Sequence, residues 1–316
     1  MRCYLTTLVI LLAFGEAASA QVKLELKWQE NTKSTLTTTT KLHQILTINA
    51  MEIETGSEGS TVVSQILGTR RADGSLPRLQ KIESLRAKVE LPMGLGFSFD
   101  SAAPDVEKPA NPEIAKLYDG IKAASALSFT EILDKDGKFV AVENKEKILN
   151  DLKDITPETK ERIKLRLSDE VLKRANDQEL AIYPAGEVKK GDTWERTEVM
   201  DLGSGQLLTF KKRYEYLGTE NVEGMNLDKL GVTAIEVVLT MDADPKSPIK
   251  ISASSLQIDS SVGSLYFNRA QGQVARRQSK TRIKGDLTLE AGGNLIPATL
   301  DLTIEADLKE KVAAVQ

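Results

Sequence analysis

The sequence predicts a mainly β (α+β) protein: antiparallel, curved sheets or half-barrels with a central helical insertion. Three observations carry this. Apolar and polar residues alternate over long stretches at both ends of the chain, the period of strands with one wet face. Short turn clusters separate those stretches, which makes the connections hairpins and the pairing antiparallel. Between the two β regions lies a block whose apolar residues recur at helical spacing.

Residues 1–20 read as a secretory signal peptide. Arg2 supplies the positive start, Tyr4 to Phe14 an uncharged Leu-rich run, and Ala18-Ser19-Ala20 a cleavage site with Gln21 following. The apolar run is shorter than the roughly 20 residues a membrane-spanning helix needs. The single cysteine, Cys3, precedes this run, so it is not placed as a lipid-anchored cysteine. Its removal would leave a chain without disulfides, thiolate metal sites or thiol nucleophiles. The expectation is a periplasmic or extracellular protein with no transmembrane segment after cleavage.

Residues 21–144 form the N-terminal β region. Leu36, Leu42, Leu46 and Ile48 alternate with Thr37, Thr39, Lys41, His43 and Thr47 in a long strand continuing towards Ile53. Gly56 to Gly59 reads as a turn, with Thr61 to Thr69 returning. Ala72-Asp73-Gly74 is the next turn, followed by a strand from Gln80 to Leu91. Ala102 to Pro109 reads as a loop, and Pro112 to Ala124 as a helix. Phe129 to Val142 is a hairpin around Asp134-Lys135-Asp136-Gly137.

Residues 145–183 form the helical insert. Glu146 to Asp154 and Pro157 to Leu180 carry Ile148, Leu149, Leu152, Ile163, Leu167, Val171 and Leu172 at helical intervals. Thr156 is the expected N-cap, with Pro157 in the first turn. Ser168 offers a second cap, which predicts two helices with a bend.

Residues 184–316 form the C-terminal β region, expected to make one integrated domain with the first. Its strands include Leu207 to Leu217 and Ala234 to Met241, the latter ended by a turn at Asp242-Ala243-Asp244-Pro245. A hairpin around Ala270-Gln271-Gly272 follows, and Leu300 to Leu308 shows the cleanest alternation of all.

The composition excludes several classes. A net charge of −4 argues against a nucleic-acid binder, and 41% hydrophobic residues argue against a disordered chain. With 5% aromatics, there is little material for a carbohydrate-stacking platform.

No catalytic, cofactor or metal residue is assigned. An EF-hand starting at Asp134 would need an oxygen ligand at its fifth position and Glu at its twelfth, where Lys138 and Lys145 stand. A hairpin turn with Gly137 at positive φ explains the motif better. His43, the only histidine, is expected on the solvent side of its strand, and no nucleophile elbow accompanies it. Gly94-Leu95-Gly96 lacks the third glycine and the helix of a dinucleotide site. A carboxylate pair for hydrolysis would be spatial, and no particular pair stands out.

The basic run Arg276, Arg277, Lys280, Arg282 and Lys284 is the most unusual local feature. Alternation sets Arg276, Lys280, Arg282 and Lys284 on one face, while Lys211, Lys212 and Arg213 add basic residues on another strand. Two readings compete: an exposed sheet face balanced by acids, or a cationic patch for an acidic polymer or anionic lipid headgroups.

Trp28 with its Thr-rich strand, Phe129-Thr130 through Asp136-Gly137, and above all Val188-Lys189-Lys190-Gly191-Asp192-Thr193-Trp194 carry a resemblance. The chain is similar to an uncharacterised family of exported bacterial proteins with a domain of unknown function, marked by a V-x-x-G-D-T-W junction. The resemblance implies two β regions around a helical insert and assigns no functional residues.

The leading functional expectation is an exported, non-enzymatic envelope protein. Its partner would be an apolar or amphiphilic ligand, in an apolar groove under the helical block, or an envelope protein. A structural or assembly component of the envelope is the alternative, and a hydrolase with an unrecognised carboxylate site the third. No cofactor is expected.

Overall fold

The structure is a computed structural model that describes residues 21–103, 108–152, 155–203, 205–241 and 249–314. Strands β1 (Thr32–Ile48) and β2 (Met51–Leu67) pair in unbroken antiparallel register from Thr32↔Leu67 to Ile48↔Met51. Next comes β3 (Leu76–Glu90), which pairs β2 on one side. On its other side it pairs two short strands in turn, β4 (Gly96–Asp100) and β5 (Ser128–Leu133). The edge of this half is β6 (Phe139–Val142).

The second half is a meander of long strands: β7 (Thr193–Gly203), β8 (Gln206–Val222), β9 (Met225–Met241), β10 (Ile249–Asn268), β11 (Gln273–Ala291) and β12 (Asn294–Ala314). The first and last strands then pair along their length, from Thr32↔Ala314 to Ile48↔Ala298. The two β regions are therefore one 12-stranded antiparallel sheet, ordered β6-β5-β3-β2-β1-β12-β11-β10-β9-β8-β7 with β4 beside β3. It is curved and unclosed.

One turn differs from expectation. Gly56 to Gly59 is not a turn; β2 runs straight through it. The reversal occurs at Asn49-Ala50, both at positive φ (50° and 62°), the backbone of a two-residue hairpin turn. Alanine rarely adopts this conformation, so the sequence gives a weak turn signal there and a misleading one at the glycines. The Asp242–Pro245 turn lies outside the described residues, as does part of the Ala102–Pro109 loop.

The helices follow their capping residues. In α1 (Pro112–Ser125), Asn111 accepts from the Glu113 and Ile114 amides. The short α2 (Lys145–Asp151) precedes α3 (Pro157–Arg166), where the Thr156 hydroxyl accepts from Thr159 N. Ser168 caps α4 (Asp169–Ala181) by accepting from Val171 N, so the helical block does bend at the second cap. Ala123, Leu127, Leu149, Ile163 and Leu167 bury the helices against one another.

Cross-strand register fixes which residues share a face. The inner face carries Leu42 and Leu46 of β1, Leu208 and Phe210 of β8, Ile283 and Leu287 of β11, and Leu300 to Ile304 of β12 at alternate positions. The outer face carries Lys41, His43, Arg282 and Thr303 in the opposite phase. The turns at Asn49-Ala50 and at Gly292-Gly293 mark one end of the sheet, the far end. The opposite, near end is covered by α4 and by residues 22–28. There Val22 pairs with Val188, Lys27 N donates to Gly272 O at 3.0 Å, and Trp28 packs on Leu67, Leu76 and Leu133.

The junction motif is structural throughout. Val188 holds the Val22 bridge, Gly191 turns at φ 92°, and Asp192 Oδ2 accepts from Lys189 N at 2.9 Å. Trp194 stacks on Tyr214 and donates through Nε1 to Ile182 O at 2.8 Å, tying β7 to the end of the helical block.

Candidate functional site

Below α4 the inner face changes character from apolar to charged. Glu198 of β7, Lys212 and Tyr214 of β8 and Arg277 of β11 meet there. The Glu198 carboxylate lies 2.7 Å from Lys212 Nζ and 2.7 Å from Arg277 Nη2, and accepts from the Tyr214 hydroxyl. Burial would raise the Glu198 carboxyl, but the Arg277 and Lys212 charges outweigh it and hold the group at about 2. Burial, reinforced by the Arg277 charge, lowers the Lys212 ammonium against the pull of Glu198. Burial also raises the Tyr214 hydroxyl, so it stays a neutral donor. Two cations share the one carboxylate of this group.

A second group adjoins it. Arg78 of β3 pairs with Glu131 of β5 at 2.7 Å and with Glu179 of α4 at 3.2 Å, its guanidinium 5.4 Å from the centre of the Trp28 ring. Glu310 of β12 lies close by. Burial raises its carboxyl to about 7; the Ser34 hydroxyl and Arg78 pull it back, while the Glu179 charge adds to the rise. Tyr183 stands between the groups, its hydroxyl raised by burial and by the Glu179 and Glu310 charges.

Towards the far end the inner face is apolar. Its centre is buried, with Leu208 and Ile283 fully covered. Around that centre Leu42, Leu46, Ile48, Met200, Leu202 and Leu256 pack against it while remaining only partly buried. Met51, Met93 and Leu295 stand exposed at the far-end turns. The charged groups thus sit beside α4, and the partly buried apolar residues lie towards the far end.

The residues singled out in the sequence fall elsewhere. Ala20 and the rest of 1–20 lie outside the described residues, and Gln21 is exposed. His43 is on the outer face, its Nε2 2.7 Å from Glu54 Oε1. Asp134 Oδ1 accepts from the Asp136 and Lys138 amides, closing the turn that Gly137 completes at φ 79°.

Arg276, Lys280, Arg282 and Lys284 share the outer face, each with a carboxylate in reach. Arg276 lies 3.1 Å from Asp307, Lys280 2.7 Å from Glu305, Arg282 2.7 Å from Asp301, and Lys284 3.7 Å from Asp259. Lys211 and Arg213 likewise pair with Glu195. Two clefts of about 380 and 630 Å³ open on the outer side of β2 and β3, the larger beside His43 and Glu90. Among the described residues no group of three or more His, Asp or Glu is arranged for a metal ion, and no helix is long and apolar enough to cross a membrane.

Sequence reasoning missed the charged groups of the inner face. Their signal is a charge in the apolar phase of an alternating strand. Glu198 shares its phase with Trp194, Met200 and Leu202, and Arg277 is the one member of the basic run that alternation turns away from the others.

The comparisons with known proteins agree with the resemblance read from the motifs. Residues 80–223 match the model of a family of unknown function (DUF6263). The match takes in the helical insert and the junction motif. No curated protein matches the chain in sequence.

Solved structures similar to it include lipovitellin, studied for its lipid–protein interactions, with a TM-score of 0.42 at 9% identity. That similarity covers 92% of this chain and 26% of the lipovitellin chain, so the protein spans about a quarter of that relative. Another is the outer membrane protein OprG from Pseudomonas aeruginosa, with a TM-score of 0.23 at 6% identity over 91% of this chain and 99% of that one. A third is a DUF1329 family protein from Desulfovibrio piger, with a TM-score of 0.13 at 9% identity over 87% and 84% of the two chains. Scores this low bear on neither ligand nor activity.

Proposed function

We propose that the protein is an exported envelope protein that binds an amphiphile on the inner face of its sheet. One observation carries the reading. Apolar side chains of β1, β7 and β10 lie on the far half of that face while staying partly exposed, and they end on a charged group in which two cations share one carboxylate. Apolar side chains left partly exposed in this way are suited to an interaction site. The tail would lie along Leu42, Leu46 and Met200, and an anionic headgroup would sit towards Lys212 and Arg277. The signal-like segment 1–20 supports export.

Organic extraction of protein purified from the envelope, followed by mass spectrometry, tests this. A stoichiometric amphiphile with an acidic headgroup is the expected result. Protein that carries none, and that takes up no fluorescent fatty acid when offered one, would overturn the reading.

A further inference from the structure

We propose that the line between β9 and β10 is the passage through which the amphiphile reaches the inner face; the proposal rests on the ligand reading above. Most long strand pairs of this sheet are laddered from end to end, as β1 is with β12 and β10 with β11. The β9–β10 pair is different. Among the described residues its backbone register runs only from Ser264↔Gly231 to Phe267↔Asp228.

Beyond Val232 on β9 and before Gly263 on β10, side chains take over from the ladder. Ser261 Oγ accepts from Ala234 N at 2.9 Å, and Ser254 Oγ donates to Leu239 O at 3.1 Å. A hydroxyl is a movable partner that water can replace, whereas a backbone ladder must be broken cooperatively.

The sequence of β10 explains why the backbone ladder stops while the strands stay side by side. It carries serines at 252, 254, 255, 260, 261 and 264, whose hydroxyls compete for backbone partners. Register shifts at Ile251/Ala253 and Ile258/Ser260 keep it tied to β11 while disturbing a straight edge on its other side. Gly263 marks the fork. A Cβ there would lie 3.0 Å from both Val232 O and Gln278 O, a tight fit that glycine relieves where β10 lies close between its neighbours.

Apolar side chains flank this line on both faces. Inside, Val237 and Leu239 of β9 belong to the buried apolar core and Leu256 of β10 to its partly buried margin. Outside, Val238 and Val262 are 54% and 68% exposed, in the opposite phase. Two strands moving apart along such a line open a slot. A slot admits a long, narrow hydrocarbon chain better than a bulky ring system, which makes a fatty acid or another acyl-chain amphiphile the fitting class.

The test is a reversible cross-link. On a Cys3→Ser background, Ala234→Cys with Ser261→Cys ties β9 to β10 by one disulfide, and Thr37→Cys with Lys309→Cys ties the laddered β1–β12 pair as a control. Uptake of a fluorescent fatty acid is followed by stopped flow before and after reduction. Oxidation should slow uptake at least tenfold in the first variant and leave the control unchanged, with reduction restoring the rate. In the opposite direction, Ser254→Ala with Ser261→Ala should speed uptake severalfold. Unchanged rates in both the cross-linked and the alanine variants would overturn the passage while leaving the ligand reading standing. No uptake by the wild-type protein would overturn both.

Discussion

Asn176 and Gln178, two residues apart on α4, hold the two opposite edges of the sheet. Asn176 Oδ1 accepts from Phe139 N at 2.9 Å and its Nδ2 donates to Gly137 O at 3.1 Å, beside β6. Gln178 Oε1 accepts from Val199 N on β7. One helix thus bridges the gap of an unclosed sheet and covers edge groups that would otherwise pair with another chain. Asn176→Ala should cost about 1–3 kcal/mol, because it leaves two buried backbone groups unpaired. Gln178→Ala should cost about 1 kcal/mol. Urea denaturation measures both, and the double variant should also self-associate in light scattering.

Glu198 sets stability in acid. Its folded carboxyl is held at about 2, below the ordinary value of 4.5, so its contribution is present above pH 4.5 and disappears as pH falls towards 2. Glu198→Gln should flatten the stability curve across that window. At neutral pH it should cost roughly 3 kcal/mol, since two buried cations lose their carboxylate. Denaturant melts at stepped pH values check both effects.

Glu310 acts with the opposite sign. Its folded carboxyl is raised from 4.5 to about 7, so the folded state binds the proton more tightly than the unfolded one. Stability therefore falls as pH rises from 4.5 to 7. Glu310→Gln should leave stability at pH 4 nearly unchanged and raise it at pH 8. A variant less stable than wild type at pH 8 would contradict this.

Gly137 admits no side chain. Its φ of 79° and the Trp28 ring, whose Nε1 would lie 1.9 Å from a Cβ, both exclude one. Gly137→Ala should destabilise the protein by roughly 2–4 kcal/mol and shift the Trp28 fluorescence. The fluorescence readout places the damage at the near end.

The strands were legible where one face is wet. In β12, Leu300, Leu302 and Ile304 alternate with Asp301, Thr303 and Glu305, and the register puts each set on its expected face. The helix starts at Thr156 and Ser168 were legible because a capping hydroxyl is a local signal. The Asn49-Ala50 turn was not, because an alanine at positive φ is decided by the hairpin around it rather than by its own preference. The charged groups were hidden for a related reason. Glu198 on β7 and Arg277 on β11 lie 79 residues apart, and only the fold brings them together.

The pairing of β1 with β12 also governs how this chain can fold. The middle of the sheet joins Thr32 to Ala314, so a contact that nearly spans the sequence has to form for the two halves to become one. Such a topology folds slowly, because the chain entropy of closing the longest loop is lost before the pairing rewards it. During vectorial synthesis, the Thr-rich edge of β1 stays bare until the last strand emerges. A stop codon between Ile48 and Asn294 would remove the partner of β1 and leave that long edge of the N-terminal half open to another molecule.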